Sequence, residues 1–86
     1  MNATANISIR SANYDDYPAI WQVAALDDSS VPAAPLLVAE VEDEVIAAVS
    51  IETGDAIADP FRRTAAAVDL LRLRASQLSS RSAHAA

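Results

Sequence analysis

The chain has 86 residues, enough for one domain around one core and no more. Hydrophobic residues make up 52%, which excludes disorder throughout, but alanine supplies much of that share and the large side chains are few: Tyr14, Tyr17, Trp21, Phe61 and a modest set of Leu, Ile and Val. With no cysteine and a single histidine (His84), disulfides, thiolate metal sites and histidine-built zinc sites are excluded, and the net charge of −6 argues against nucleic acid as the ligand.

Ile7 to Arg10 alternates apolar and polar residues and predicts a short strand. Asn13 then offers a helix N-cap, with Asp16 three residues on as its acidic partner, and the spacing predicts a helix to Leu26. On it Ile20, Val23, Ala24 and Asp27 share one side, with Tyr17 and Trp21 at the margin. Asp27-Asp28 reads as the helix stop rather than a metal site, and Ser29 to Pro35 is a loop by composition.

Leu36 to Val41 predicts a second strand and Val45 to Ile51 a third, joined by the polar turn Glu42-Asp43-Glu44 as an antiparallel hairpin. Glu40, Glu42 and Glu44 are expected to put at least two carboxylates on its solvated face. After Thr53-Gly54-Asp55, Ala56 to Asp59 predicts a short fourth strand stopped by Pro60. From Phe61 or Arg62 to about Ser79 the chain reads as one helix. The expected organisation is a flexible N-terminus (1–6), one domain (7–79) and a flexible tail (80–86). The fold class is α+β, order β-α-β-β-β-α, with a four-stranded, mainly antiparallel sheet and two helices.

The charge is unevenly placed. Met1 to Pro60 carries eleven Asp or Glu against Arg10 alone, and the remainder carries five Arg against Asp69 alone. The body is acidic and the last helix basic. Every cation is Arg, which together with the alanine content points to a GC-rich bacterial genome. No apolar run reaches the roughly 20 residues needed to span a bilayer. Met1 to Asn6 lacks the features of a signal peptide, so a cytoplasmic protein without a membrane partner is expected.

Ile7-Ser8-Ile9-Arg10-Ser11-Ala12, followed by Asp16 and Ile20, resembles the opening strand and helix of GNAT acetyltransferases. Leu37 to Ser50 is similar to that family's second and third strands, and the resemblance covers residues 7 to about 60. It implies an acetyl-CoA loop of the form Q/R-x-x-G-x-G/A at the next helix start, where free N–H groups cradle the pyrophosphate. The matching segment is Arg62-Arg63-Thr64-Ala65-Ala66-Ala67, with alanine at both small positions, so Arg62, Arg63, Thr64 and Ala65 are remnant candidates only. The family's fifth strand and fourth helix, which often carries a tyrosine general acid, have no counterpart in this sequence. No catalytic residue is assigned, no cofactor is expected with acetyl-CoA the one candidate, and the reading leans away from an enzyme.

The last helix carries two apolar rows. Val68, Leu71, Ala75 and Leu78, with Ala67, should pack on the sheet. Ala66, Leu70 and Leu73, with Gln77, form a second row on nearly the opposite side. Arg63, Arg74 and Arg81 should line one ridge between them. The second row is the interface candidate, and the leading expectation is a non-catalytic GNAT-like domain acting through self-association or a protein partner. The alternatives are a weak acetyl-CoA or anionic small-ligand binder using Arg62 and Arg63, and one half of a split acetyltransferase.

Overall fold

The computed structural model describes residues 6–85, the side chains of 80–85 excepted. Its elements are β1 (Ile7–Ser11), a 3-10 turn (Tyr14–Asp16) leading into α1 (Tyr17–Leu26), β2 (Leu36–Val41), β3 (Glu44–Ser50), β4 (Ala56–Ala58) and α2 (Ala65–Ala85). The four strands form one antiparallel sheet in the order β1-β2-β3-β4. This is the α+β fold and the element order that the sequence predicts. The flexible segment expected over 1–6 lies, except for Asn6, outside the described residues, as does Ala86. Residues 80–85 of the expected tail continue α2.

The two helices cover opposite faces of the sheet. Alternation in the strands sends Leu36, Val38, Ala48 and Ile57 to one face, where α1 buries Ile20, Val23 and Ala24 against them. Leu37, Ala39, Ala47 and Val49 face the other way and receive Ala67, Leu71 and Ala75 of α2, with Val68 and Leu78 at the margin. Alternation breaks once. The register slips between Ala39 and Glu40, so that Ala39 pairs with Ala47 but Glu40 with Val45. The extra residue, Ile46, therefore joins its neighbour Ala47 on the α2 face. Half of the buried residues of that layer are alanine, and among the described side chains of α2 Leu71 is the one large one buried completely.

The turns account for the connections. Val41 pairs with Glu44, so the β2–β3 loop is only Glu42-Asp43, at φ of 53° and 65°. Positive φ at both central residues is what a type I′ hairpin needs, and here two side-chain-bearing residues supply it in place of glycine. Helix α1 closes in a Schellman arrangement: Ser29 N–H donates to the Ala24 carbonyl at 2.9 Å, Asp28 N–H to that of Ala25 at 3.1 Å, and Asp28 takes φ 53°. Buried Ser50 ties the β3–β4 turn, its Oγ accepting Thr53 N–H at 3.1 Å and its carbonyl accepting Gly54 N–H at 3.0 Å.

One boundary differs from the sequence reading. α2 begins at Ala65, not at Phe61 or Arg62, and Val68 N–H donates to the Thr64 carbonyl at 2.8 Å. Asp59 is the reason. Its Oδ1 accepts Phe61 N–H at 2.9 Å and its carbonyl accepts Arg62 N–H at 3.2 Å, which turns 59–62 into a local loop instead of a first helical turn. The phase of the two apolar rows is unaffected, since it depends on spacing and not on the start. Arg63 is outside the helix and does not continue a ridge with Arg74, and the Arg81 side chain lies outside the described residues.

Candidate functional site

The remnant loop candidates separate in the structure. Arg62 is half-buried and its Nη1 is paired with Glu44 Oε1 of the hairpin, not with Asp59 or Asp69. Arg63 is exposed, Thr64 is half-buried and Ala65 is the exposed first residue of α2. The pair with Glu44 draws the Arg62 guanidinium towards the hairpin tip rather than leaving it free for an anion at the helix start.

The interface candidates do come together. Ala66, Leu70, Leu73 and Gln77 are all exposed on the side of α2 turned away from the sheet, Leu70 by 44% and Leu73 by 57%. Successive positions three or four apart place them on one helical face. Arg74 and Asp69, both exposed, flank the row on its two sides, and Arg72 lies further round the helix, beside Glu52 and Gly54 of the β3–β4 turn.

A second exposed row, not singled out by the sequence, lies on the outer side of α1. Tyr14 is 89% exposed and Trp21 65%. With Tyr17 and Pro18 they line an open groove of about 540 Å³ that also includes Asp15. The signal was present in the spacing, because Tyr14, Pro18, Trp21 and Ala25 recur at intervals of four, three and four opposite Ile20, Val23 and Ala24. A smaller cavity of about 240 Å³ between α1 and the hairpin has six acidic residues among those lining it: Asp15, Asp16, Glu40, Asp43, Glu44 and Asp59.

Two of those six are neutralised by Arg10. Its Nη1 and Nη2 donate to both oxygens of Asp16 at 2.7 and 2.8 Å, its Nε and Nη2 to both oxygens of Glu40 at 3.0 and 3.1 Å, and its Nη1 also to the Ser11 carbonyl at 3.2 Å. Every N–H of the guanidinium is thus used. Hydrogen bonding to Asp16, then to Glu40, raises the Arg10 pKa further above its ordinary value. Asp16 is lowered to about 2, chiefly by the Arg10 hydrogen bonds and then by Asn13 N–H, donated at 2.7 Å, while burial opposes the shift. Asp16 is therefore more than a cap, and Glu40 is half-buried in an ion pair rather than part of a solvated face.

Asp27 likewise does more than end its helix. Its Oδ2 accepts Ala58 N–H at 3.2 Å. Ser50 N–H bonds the Asp55 carbonyl and Asp59 N–H bonds the Ile46 carbonyl, so Ala56 and Ala58 point their backbone groups off the edge of the sheet. Asp27 covers one of those edge donors.

Among the described residues no group of three or more His, Asp or Glu is placed to hold a metal ion, and no helix is long and apolar enough to cross a membrane. No protein-family model matches the chain, and neither a curated protein nor a solved structure does.

Proposed function

We propose that the chain is a small non-catalytic domain of GNAT type that acts through association, most simply with a second copy of itself, and that the outer row of α2 is the contact. The observation that carries this reading is the pair Leu70 and Leu73, exposed on a helix that already has a complete apolar face against the sheet. Burying a leucine stabilises by roughly 1.5–3 kcal/mol, and neither side chain gains that within one copy. The alanine-rich layer under α2 adds to the case, because small domains with little large-residue burial gain stability by oligomerising. Single exposed leucines are ordinary on protein surfaces. A row of four on one helix face, flanked by Arg74 on one side and Asp69 on the other, is a larger contact than that.

Association makes thermal stability depend on concentration. Melting the wild-type chain over about a hundredfold range of concentration should raise Tm by about 5 °C or more. The Leu70→Asp plus Leu73→Asp variant should melt at one temperature throughout. A wild-type Tm independent of concentration would contradict the reading. The competing anionic-ligand reading has to break the Arg62–Glu44 pair or rely on Arg63 alone. Calorimetry with acetyl-CoA discriminates the two: heat that the leucine variant retains and Arg63→Ala abolishes would favour the ligand.

A further inference from the structure

β4 ends the sheet, and an end strand presents backbone groups on which another strand can add. This one is short and uncharged, Ala56-Ile57-Ala58, with Ala56 and Ala58 turning their N–H and C=O groups outward. Pro60, two residues on, has no N–H to offer. Asp27 adds a further element. Its Oδ2 accepts Ala58 N–H at 3.2 Å, across 31 positions of sequence. The end of α1 holds the carboxylate there. Asp27 N–H donates to the Val23 carbonyl at 2.9 Å, the Asp27 carbonyl accepts the Ser29 hydroxyl at 3.1 Å, and Asp28 turns the chain at φ 53° just beyond. One turn earlier, Val23 and Ala24 pack in the same cluster as Ile57, so the helix end is anchored over the strand it covers.

We propose that Asp27 guards this edge: its carboxylate keeps the β4 strand of a second copy from adding to β4, and so keeps the sheet at four strands. A strand that pairs with Ala58 must bring a carbonyl to its N–H. That carbonyl meets the Asp27 oxygen, acceptor against acceptor, and pairing would also strip water from a half-buried carboxylate. A side chain that only ended α1 would need no contact with β4. The inference is independent of what covers the outer row of α2.

The test removes the acceptor in a chain that also carries Leu70→Asp plus Leu73→Asp, so that α2 contributes no association. In that chain Asp27→Ala is compared with Asp27→Asn, which keeps an acceptor oxygen, and with Ile20→Val, which trims a fully buried side chain and leaves the edge alone. Sedimentation velocity and hydrogen exchange at Ala58 are followed over about a hundredfold range of concentration. In dilute solution Asp27→Ala should speed Ala58 exchange about tenfold or more, because the amide has lost its acceptor. On concentration the same variant should associate, and Ala58 exchange should slow again as an added strand takes up the amide. Lost stability alone does not give that reversal. Asp27→Asn and Ile20→Val should stay monomeric, with Ala58 exchange the same at every concentration. Asp27→Ser, whose oxygen is too short to reach Ala58, replaces Asp27→Ala should circular dichroism show a lost helix. Ala58 exchange that stays fast at high concentration overturns the proposal. Association of Asp27→Asn or Ile20→Val to the same extent as Asp27→Ala also overturns it.

Discussion

Both carboxylate oxygens of Asp16 are held by the Arg10 guanidinium, at 2.7 and 2.8 Å, while the same guanidinium grips both oxygens of Glu40. One side chain thereby ties the start of the first helix to β1 and β2. The Arg10–Glu40 half follows from register: Arg10 lies opposite Val38, which puts Glu40 on its diagonal on the same face.

The Asp16 carboxyl gives stability a defined dependence on acid. Its folded pKa of about 2 lies below the ordinary 3.8, so its contribution is present above the unfolded value and lost as pH falls through the folded one. Water reaches the Arg10 side of the pair, and screening holds the contribution to about 1–2 kcal/mol. Urea titrations should show unfolding free energy dropping by that amount between about pH 4 and pH 2. Asp16→Asn should remove this part of the pH dependence.

Leu71 and Leu70 are neighbours in sequence and opposites in burial, fully buried against 44% exposed. Leu71→Ala should cost about 3 kcal/mol in chemical denaturation, within the range for a leucine cavity in a packed core. Leu70→Ala, measured at concentrations where the chain is dilute, should cost about 0.5 kcal/mol or less. Equal costs would mean that the helix is rotated relative to the sheet.

The Glu42-Asp43 loop holds two residues with side chains at positive φ. The double substitution Glu42→Asn plus Asp43→Gly puts the preferred type I′ pair at those two positions. It should stabilise the hairpin by about 1–2 kcal/mol, visible as a higher denaturation midpoint at unchanged slope.

Asp27→Ala removes the acceptor for Ala58 N–H at the edge of the sheet. Stability should fall by about 1–2 kcal/mol. Hydrogen exchange at Ala58 should accelerate more than at Ala48, whose strand lies inside the sheet.

The helix phases, the hairpin and the order of elements along the chain are legible in the sequence because each depends on local spacing. The two rows of α2 are a case in point: spacing puts them on the right faces even though composition starts the helix too early. Residues that meet across long separations are not legible. Arg10 reaches Glu40, 30 positions away, only through the β1–β2 register, and Arg62 reaches Glu44 only because the hairpin tip and the 59–62 loop share a side. The bulge at Ile46 leaves no mark in a run of apolar residues. The true start of α2 does have a signal, since Thr64 precedes the first alanines as an N-cap residue would and Asp59-Pro60 is a turn former. Trp21 reads as marginal because a lone aromatic at a helix margin suits either burial or contact.

Sedimentation equilibrium of the wild-type chain beside the Leu70→Asp plus Leu73→Asp variant, taken to high micromolar concentration, tests the association claim most directly. The wild type should show a weight-average mass above the monomer that falls on dilution, and the variant should stay monomeric at every concentration. A wild-type chain that is strictly monomeric, or an associated state that the two aspartates leave unchanged, would contradict the account.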